Sequence, residues 1–173
     1  KGIVGGRGEK TASLSLNRAT DTTRQPGSTF KIVSTYAPAL DSAGMTLAST
    51  QYDAPYYYDE GKGKAVRNAD RSYSVWTSYR EGIRRSINIV AVKTLTDITP
   101  ELGATYVQNF GITTLQTELD SGGNGDVGQA MALGGLTNGV KNVELTAAFA
   151  TIANGGVYTE PDRKSTRQNS SHN

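Results

Sequence analysis

Arg24-Gln25-Pro26-Gly27-Ser28-Thr29-Phe30-Lys31 is the stretch whose reading decides the fold. Pro26-Gly27 is turn punctuation, and from Ser28 to Leu40 the apolar residues Val33, Tyr36, Ala37 and Leu40 recur at spacings of three and four, one face of a helix. The pattern predicts a helix that opens at Ser28. Lys31 shares a face with Ser28, so its amine is expected to reach the serine hydroxyl, while the free N–H groups of the first turn point toward any oxyanion formed there. One reading is a nucleophile with its base alongside; the other is a helix cap followed by a solvated lysine.

Composition narrows the choice. The chain of 173 residues has no cysteine and a single histidine, His172, in its last stretch. A Ser-His-Asp triad, a Cys-His pair and a histidine-rich metal site therefore have no residues to draw on, and a serine nucleophile needs a lysine to activate it. The formal charge of +2 misleads, because 162–173 takes three of the 18 basic and one of the 16 acidic residues with it, leaving 15 of each. A neutral remainder gives no support for a nucleic-acid partner or an anionic membrane surface. No apolar run approaches a membrane span and no signal peptide is visible.

Downstream, Ser86-Ile87-Asn88 falls between two helical patterns, one carrying Tyr79 and Ile83 and the next marked by Ile89, Val92 and Leu95. A turn there holds side chains at the edge of a cleft; equally, Ser86 or Asn88 serves as an ordinary N-cap. Taken in order, Gly2-Ile3-Val4-Gly5-Gly6, Asn17-Arg18-Ala19, the Arg24–Lys31 stretch, Ser86-Ile87-Asn88, Ala132-Leu133-Gly134-Gly135 and Ala153-Asn154-Gly155-Gly156-Val157-Tyr158 resemble the transpeptidase domain of class A penicillin-binding proteins, most closely those of Gram-positive, clostridia-like bacteria.

The resemblance implies an α+β fold of the penicillin-binding-protein and serine β-lactamase type, with an antiparallel sheet flanked by a mainly helical subdomain. It implies Ser28 as nucleophile, Lys31 as general base, Ser86 as proton carrier and Asn88 as the group that holds the substrate amide. The substrates would be peptidoglycan stem peptides, with β-lactams as inhibitors and no cofactor or metal. It places the parent protein at the extracytoplasmic face of the bacterial membrane, with any anchor upstream of Lys1. The family's Lys-Thr-Gly strand is missing, since Lys93-Thr94-Leu95 lies in a helical pattern and has leucine where glycine is needed. The chain is thus expected to be a truncated, inactive piece. A serine β-lactamase, with Glu118 or Glu144 positioning a water, and a non-catalytic β-lactam or peptidoglycan sensor are the alternatives.

The rest of the chain reads as scaffold. Ile3–Leu16 suggests a hairpin, and Pro38 should kink or end the first helix. Residues 41–74 lack a sustained period and suggest a long exposed connection, whose Tyr56, Tyr57 and Tyr58 read as loop packing in preference to a substrate groove. Thr77 is expected to cap a short helix, and Thr99-Pro100-Glu101 to open another that Gly111 closes. Gly123-Asn124-Gly125-Asp126-Val127-Gly128 matches G-x-G-x-x-G without the strand a dinucleotide site requires, and Asp120 and Asp126 lack the spacing of an EF-hand. A last helix should bury Leu145, Ala148, Phe149 and Ile152, followed by a strand from Val157. The domain is read as 1–161, with 162–173 resembling translated sequencing adapter up to a departure at Gln168.

Overall fold

The computed structural model describes residues 17–123 and 125–161. The expected hairpin at 3–16 and the tail at 162–173 lie outside the described residues. Helix α3 (Asn88–Ile98) is the centre of the fold: Ile89, Val90, Ala91, Val92, Thr94, Leu95 and Ile98 are all buried. A helix apolar on nearly every side belongs in a core. Around it pack the helix that follows Ser28, α4 (Pro100–Asn109), a 3-10 turn at Gln129–Leu133 and strand β2 (Thr50–Asp53).

The segment after Ser28 is helical, as the periodicity predicts, but its winding changes twice. A 3-10 turn at Gly27–Thr29 gives way to a π-helix at Ile32–Tyr36 and then to α1 (Ala37–Asp41). Wide π turns inside a helix recur at functional sites. Pro38 does not end the helix. It sits in the first turn of α1, where its missing N–H is least costly. Gly103 of α4 lies so near that a Cβ there would be 2.5 Å from the Ser34 carbonyl oxygen.

Among the described residues, three two-stranded antiparallel sheets surround these helices. β1 (Thr23–Arg24) pairs with β6 (Val140–Lys141), β2 with β5 (Val75–Ser78), and β3 (Tyr56–Tyr57) with β4 (Ala65–Val66). The stretch 41–74 is therefore more ordered than its sequence suggests. The reason lies in β2, whose inward residues Gln51 and Asp53 are polar, so the apolar alternation that marks a strand is absent. Tyr56 and Tyr58 pack against the core while Tyr57 is exposed, in line with the loop-packing reading.

Thr77 lies in β5, and the cap of α2 (Tyr79–Arg84) is Ser78, whose hydroxyl accepts the Glu81 N–H. Thr99 caps α4 with Pro100 at its first position, and Gly111 follows with φ 82°. In α5 (Asn142–Ala153) Ala148 is buried and Leu145 packs against the core, but Phe149 and Ile152 are exposed. Val157–Thr159 forms no strand, having no partner among the described residues; Tyr158 instead packs against Gly111.

Candidate active site

Gly27, with φ 56°, turns the chain out of Pro26 so that Ser28 stands exposed in the 3-10 turn. Phe30, fully buried, anchors the next residues. Gln25 ties the approach down: its side-chain amide donates to the Leu136 carbonyl and accepts the Leu136 N–H at 3.0 Å, a side-chain copy of strand pairing. Gly134, with φ 72°, sits where a Cβ would fall 2.5 Å from the Gly27 carbonyl oxygen. Ala132-Leu133-Gly134-Gly135 therefore acts as a backbone wall behind the serine. Gln25 carried no signal of this role in the sequence.

Lys31 runs inward and is 2% exposed. Its amine donates to the Ser86 carbonyl (2.7 Å), to Ser86 Oγ (2.9 Å) and to Asn88 Oδ1 (2.6 Å), so each of three protons has an acceptor. Burial lowers its pKa from 10.5 to about 8. At pH 7 that leaves about one amine in ten neutral, against about one in three thousand for an ordinary lysine.

The turn that meets Lys31 has a defined geometry. The Ile87 N–H bonds the Gly82 carbonyl (2.9 Å) and the Ser86 N–H bonds that of Ile83 (3.1 Å), the Schellman ending of α2. Ser86 occupies its left-handed position, φ 54°, where glycine is usual. Asn88 donates from Nδ2 to the Arg67 carbonyl (2.7 Å), which orients its Oδ1 toward the lysine. Neither Ser86 nor Asn88 is the cap of α3. The N-cap is Ile87, which has no side-chain cap of its own, and the Asn88 and Ile89 N–H groups bond Asn68 Oδ1 instead.

Lys31, Ser86 and Asn88 thus come together, whereas the expected bond between Ser28 and Lys31 is not formed. Among the described residues the Ser28 hydroxyl has no hydrogen-bond partner, since the turn already offers the ammonium three acceptors in good geometry. Two of those acceptors, a carbonyl and an amide oxygen, can only accept. The third is a hydroxyl, so loss of a proton from Lys31 lets Ser86 Oγ–H donate to the freed lone pair. This is the contact through which a proton can pass in either direction.

The other candidates are placed elsewhere. Glu144 accepts from Thr113 Oγ1 (2.7 Å) and Lys141, and Glu118 is exposed in a loop; neither bonds Ser28, Lys31 or Ser86. Asp126 is buried and clamps its loop through the Thr137 and Gln116 N–H groups. Among the described residues no cluster of three or more His, Cys, Asp or Glu could hold a metal.

The family model described as the penicillin-binding protein transpeptidase domain matches residues 6–169, past the boundary at 161 read from the sequence. The chain belongs to that family. The transpeptidase domain is 33% identical over 171 residues to penicillin-binding protein 1A of Clostridium tetani, covering 93% of this chain and 21% of the relative. It superposes on penicillin-binding protein 1A from Haemophilus influenzae with TM-score 0.69 and 28% identity, over 85% of this chain and 20% of that one. With the penicillin G acyl-enzyme complex of penicillin-binding protein A from M. tuberculosis the TM-score is 0.70 at 22% identity, over 83% and 35% of the two chains, a likeness of fold. The α+β architecture is that of a partial penicillin-binding-protein domain, and the chain spans about a fifth of the length of the curated relatives it matches.

Proposed function

We propose that this domain carries the acylating half of a serine D-alanyl-D-alanine transpeptidase that cross-links peptidoglycan stem peptides. The reading rests on one observation: a buried amine, its pKa lowered to about 8, is held between Ser86 and Asn88 one helical turn from Ser28. Ser28 Oγ bonds the penultimate D-alanyl carbonyl carbon, and its proton passes to neutral Lys31 Nζ. The bond to the terminal D-alanine breaks, and the departing amine takes a proton through Ser86 Oγ. Asn88 holds the peptide amide. The amine of a second stem peptide then attacks the acyl carbon and gives up a proton through Ser86 Oγ to Lys31, and as the acyl–oxygen bond breaks Ser28 Oγ takes a proton from Lys31 and is freed. β-Lactams acylate the same oxygen and stop there.

The unit proposed is 1–161, with 162–173 foreign to it, working at the extracytoplasmic face of a bacterial membrane. No helix among the described residues is long and apolar enough to cross a membrane. Lys93-Thr94-Leu95 lies within α3, and the sequence contains no Lys-Thr-Gly, the strand that would supply the second oxyanion donor. Losing one such donor costs about a hundredfold to a thousandfold in rate, and this chain alone is proposed to acylate far more slowly than a version extended by that strand. The β-lactamase alternative finds no support, because neither Glu118 nor Glu144 hydrogen-bonds Ser28, Lys31 or Ser86 among the described residues. Incubation of both versions with a fluorescent penicillin tests the reading. Labelling of the extended version should be strong and vanish in Ser28→Ala. Adduct that survives Ser28→Ala refutes the assignment, and equally strong labelling of this chain refutes its slow acylation.

A further inference from the structure

The first turn of α3 is capped from 20 residues upstream. Asn68 Oδ1 accepts both the Asn88 and the Ile89 N–H at 3.1 Å, satisfying two donors that a helix start leaves open. Asn68 is itself held. Its Nδ2 donates to Asp53 Oδ1 and to the Ser72 carbonyl, each at 2.8 Å, and the other Asp53 oxygen accepts the Ser74 N–H at 2.8 Å. Asp53 is 1% and Asn68 5% exposed. The carboxylate admits only the NH2 side of the Asn68 amide, so the oxygen must face the helix.

Capping is the task that serine and asparagine side chains at a helix start ordinarily perform. Here the N-cap is Ile87, whose side chain has no acceptor to offer, so Asn68 performs it from outside, while Ser86 Oγ and Asn88 Oδ1 on either side of Ile87 face Lys31. We propose that Asn68, oriented by Asp53, is a positioning residue for the site: by capping α3 from outside the helix it holds the Ser86 and Asn88 side chains on the Lys31 amine. The inference rests on the functional reading above only for what those three residues do; the geometry stands without it.

The test therefore uses no catalytic readout. In the full chain, amide exchange at Asn88 and Ile89 and the protonation midpoint of Lys31 are followed by NMR in the parent, Asn68→Ala, Asp53→Asn and the double variant Asp53→Asn with Asn68→Asp. Asn68→Ala should speed exchange at both amides about fivefold to tenfold, the size of a lost cap. It should also raise the Lys31 midpoint toward that of an ordinary lysine as water enters the loosened turn. Asp53→Asn, which keeps the shape of the buried pair and carries the test if Asn68→Ala does not fold, should move both in the same directions by less. The double variant restores a donor facing an acceptor and should return exchange toward the parent rate. Faster exchange with an unmoved Lys31 midpoint would show a merely structural cap and overturn the proposal, as would no change in either. Failure of penicillin labelling with these shifts present would instead count against the transpeptidase reading alone.

Discussion

Replacing Lys31 by methionine and titrating stability isolates the cost of the buried amine. In the folded chain its pKa is about 8, and unfolded it returns to 10.5. Below pH 8 both states carry the proton and the full cost of burying the charge is present. Between 8 and 10.5 the unfolded chain binds more proton than the folded one, so stability rises with pH; above 10.5 both are neutral and the cost is gone. At about 1.4 kcal/mol per pH step that interval amounts to about 3 kcal/mol. Lys31→Met has a similar length and no charge, so the other titrating groups cancel when the two proteins are subtracted. Urea unfolding from pH 7 to 11 should show the parent gaining about 3 kcal/mol relative to Lys31→Met. A difference that stays flat, or falls with pH, refutes the claim that burial holds this amine near neutrality.

Two further substitutions probe the backbone of the site. Ser86→Gly and Ser86→Ala both delete the hydroxyl, but only glycine relaxes φ 54°, so thermal melts should find the glycine variant more stable by about 1–2 kcal/mol; equal stability would mean that the left-handed turn is unstrained. Gly134→Ala forces a Cβ to within 2.5 Å of the Gly27 carbonyl oxygen at a residue with φ 72°. It should destabilise the chain by about 1–3 kcal/mol and displace the Ser28 turn, seen as shifted amide resonances at 27–29; an unshifted spectrum would show that the wall yields.

The family, the helix that opens at Ser28 and the turn at Ser86–Asn88 are legible because each is written in residue types with restricted uses: Pro-Gly before a helix, and Ser-x-Asn between two apolar periods. Less was legible wherever a polar residue does the work of an apolar one. Gln51 and Asp53 point inward from β2, so the strand has no apolar alternation. Asn68 looks like a loop residue, yet its oxygen replaces a local cap 20 positions away. Gln25 pairs with Leu136 across more than a hundred residues, a contact no window of sequence contains. Phe149 and Ile152 of α5 share the side of Leu145 and Ala148 yet are exposed, since periodicity reports which residues share a side and not whether anything covers it. Spacing puts Ser28 and Lys31 on one face but is silent about competing acceptors brought in from the Ser86 turn.

Ser86 grips Lys31 with two atoms, the carbonyl oxygen of its main chain and the oxygen of its side chain. The turn at Ser86 is therefore fastened to the helix that carries Lys31 by a charge as well as by the apolar core that takes in Ile87 and Phe30. When that charge is discharged, one fastening reverses, with the hydroxyl giving where it had received. The seat of the amine and the shape of the turn are in this sense one variable, and a change of protonation is also a small change of architecture.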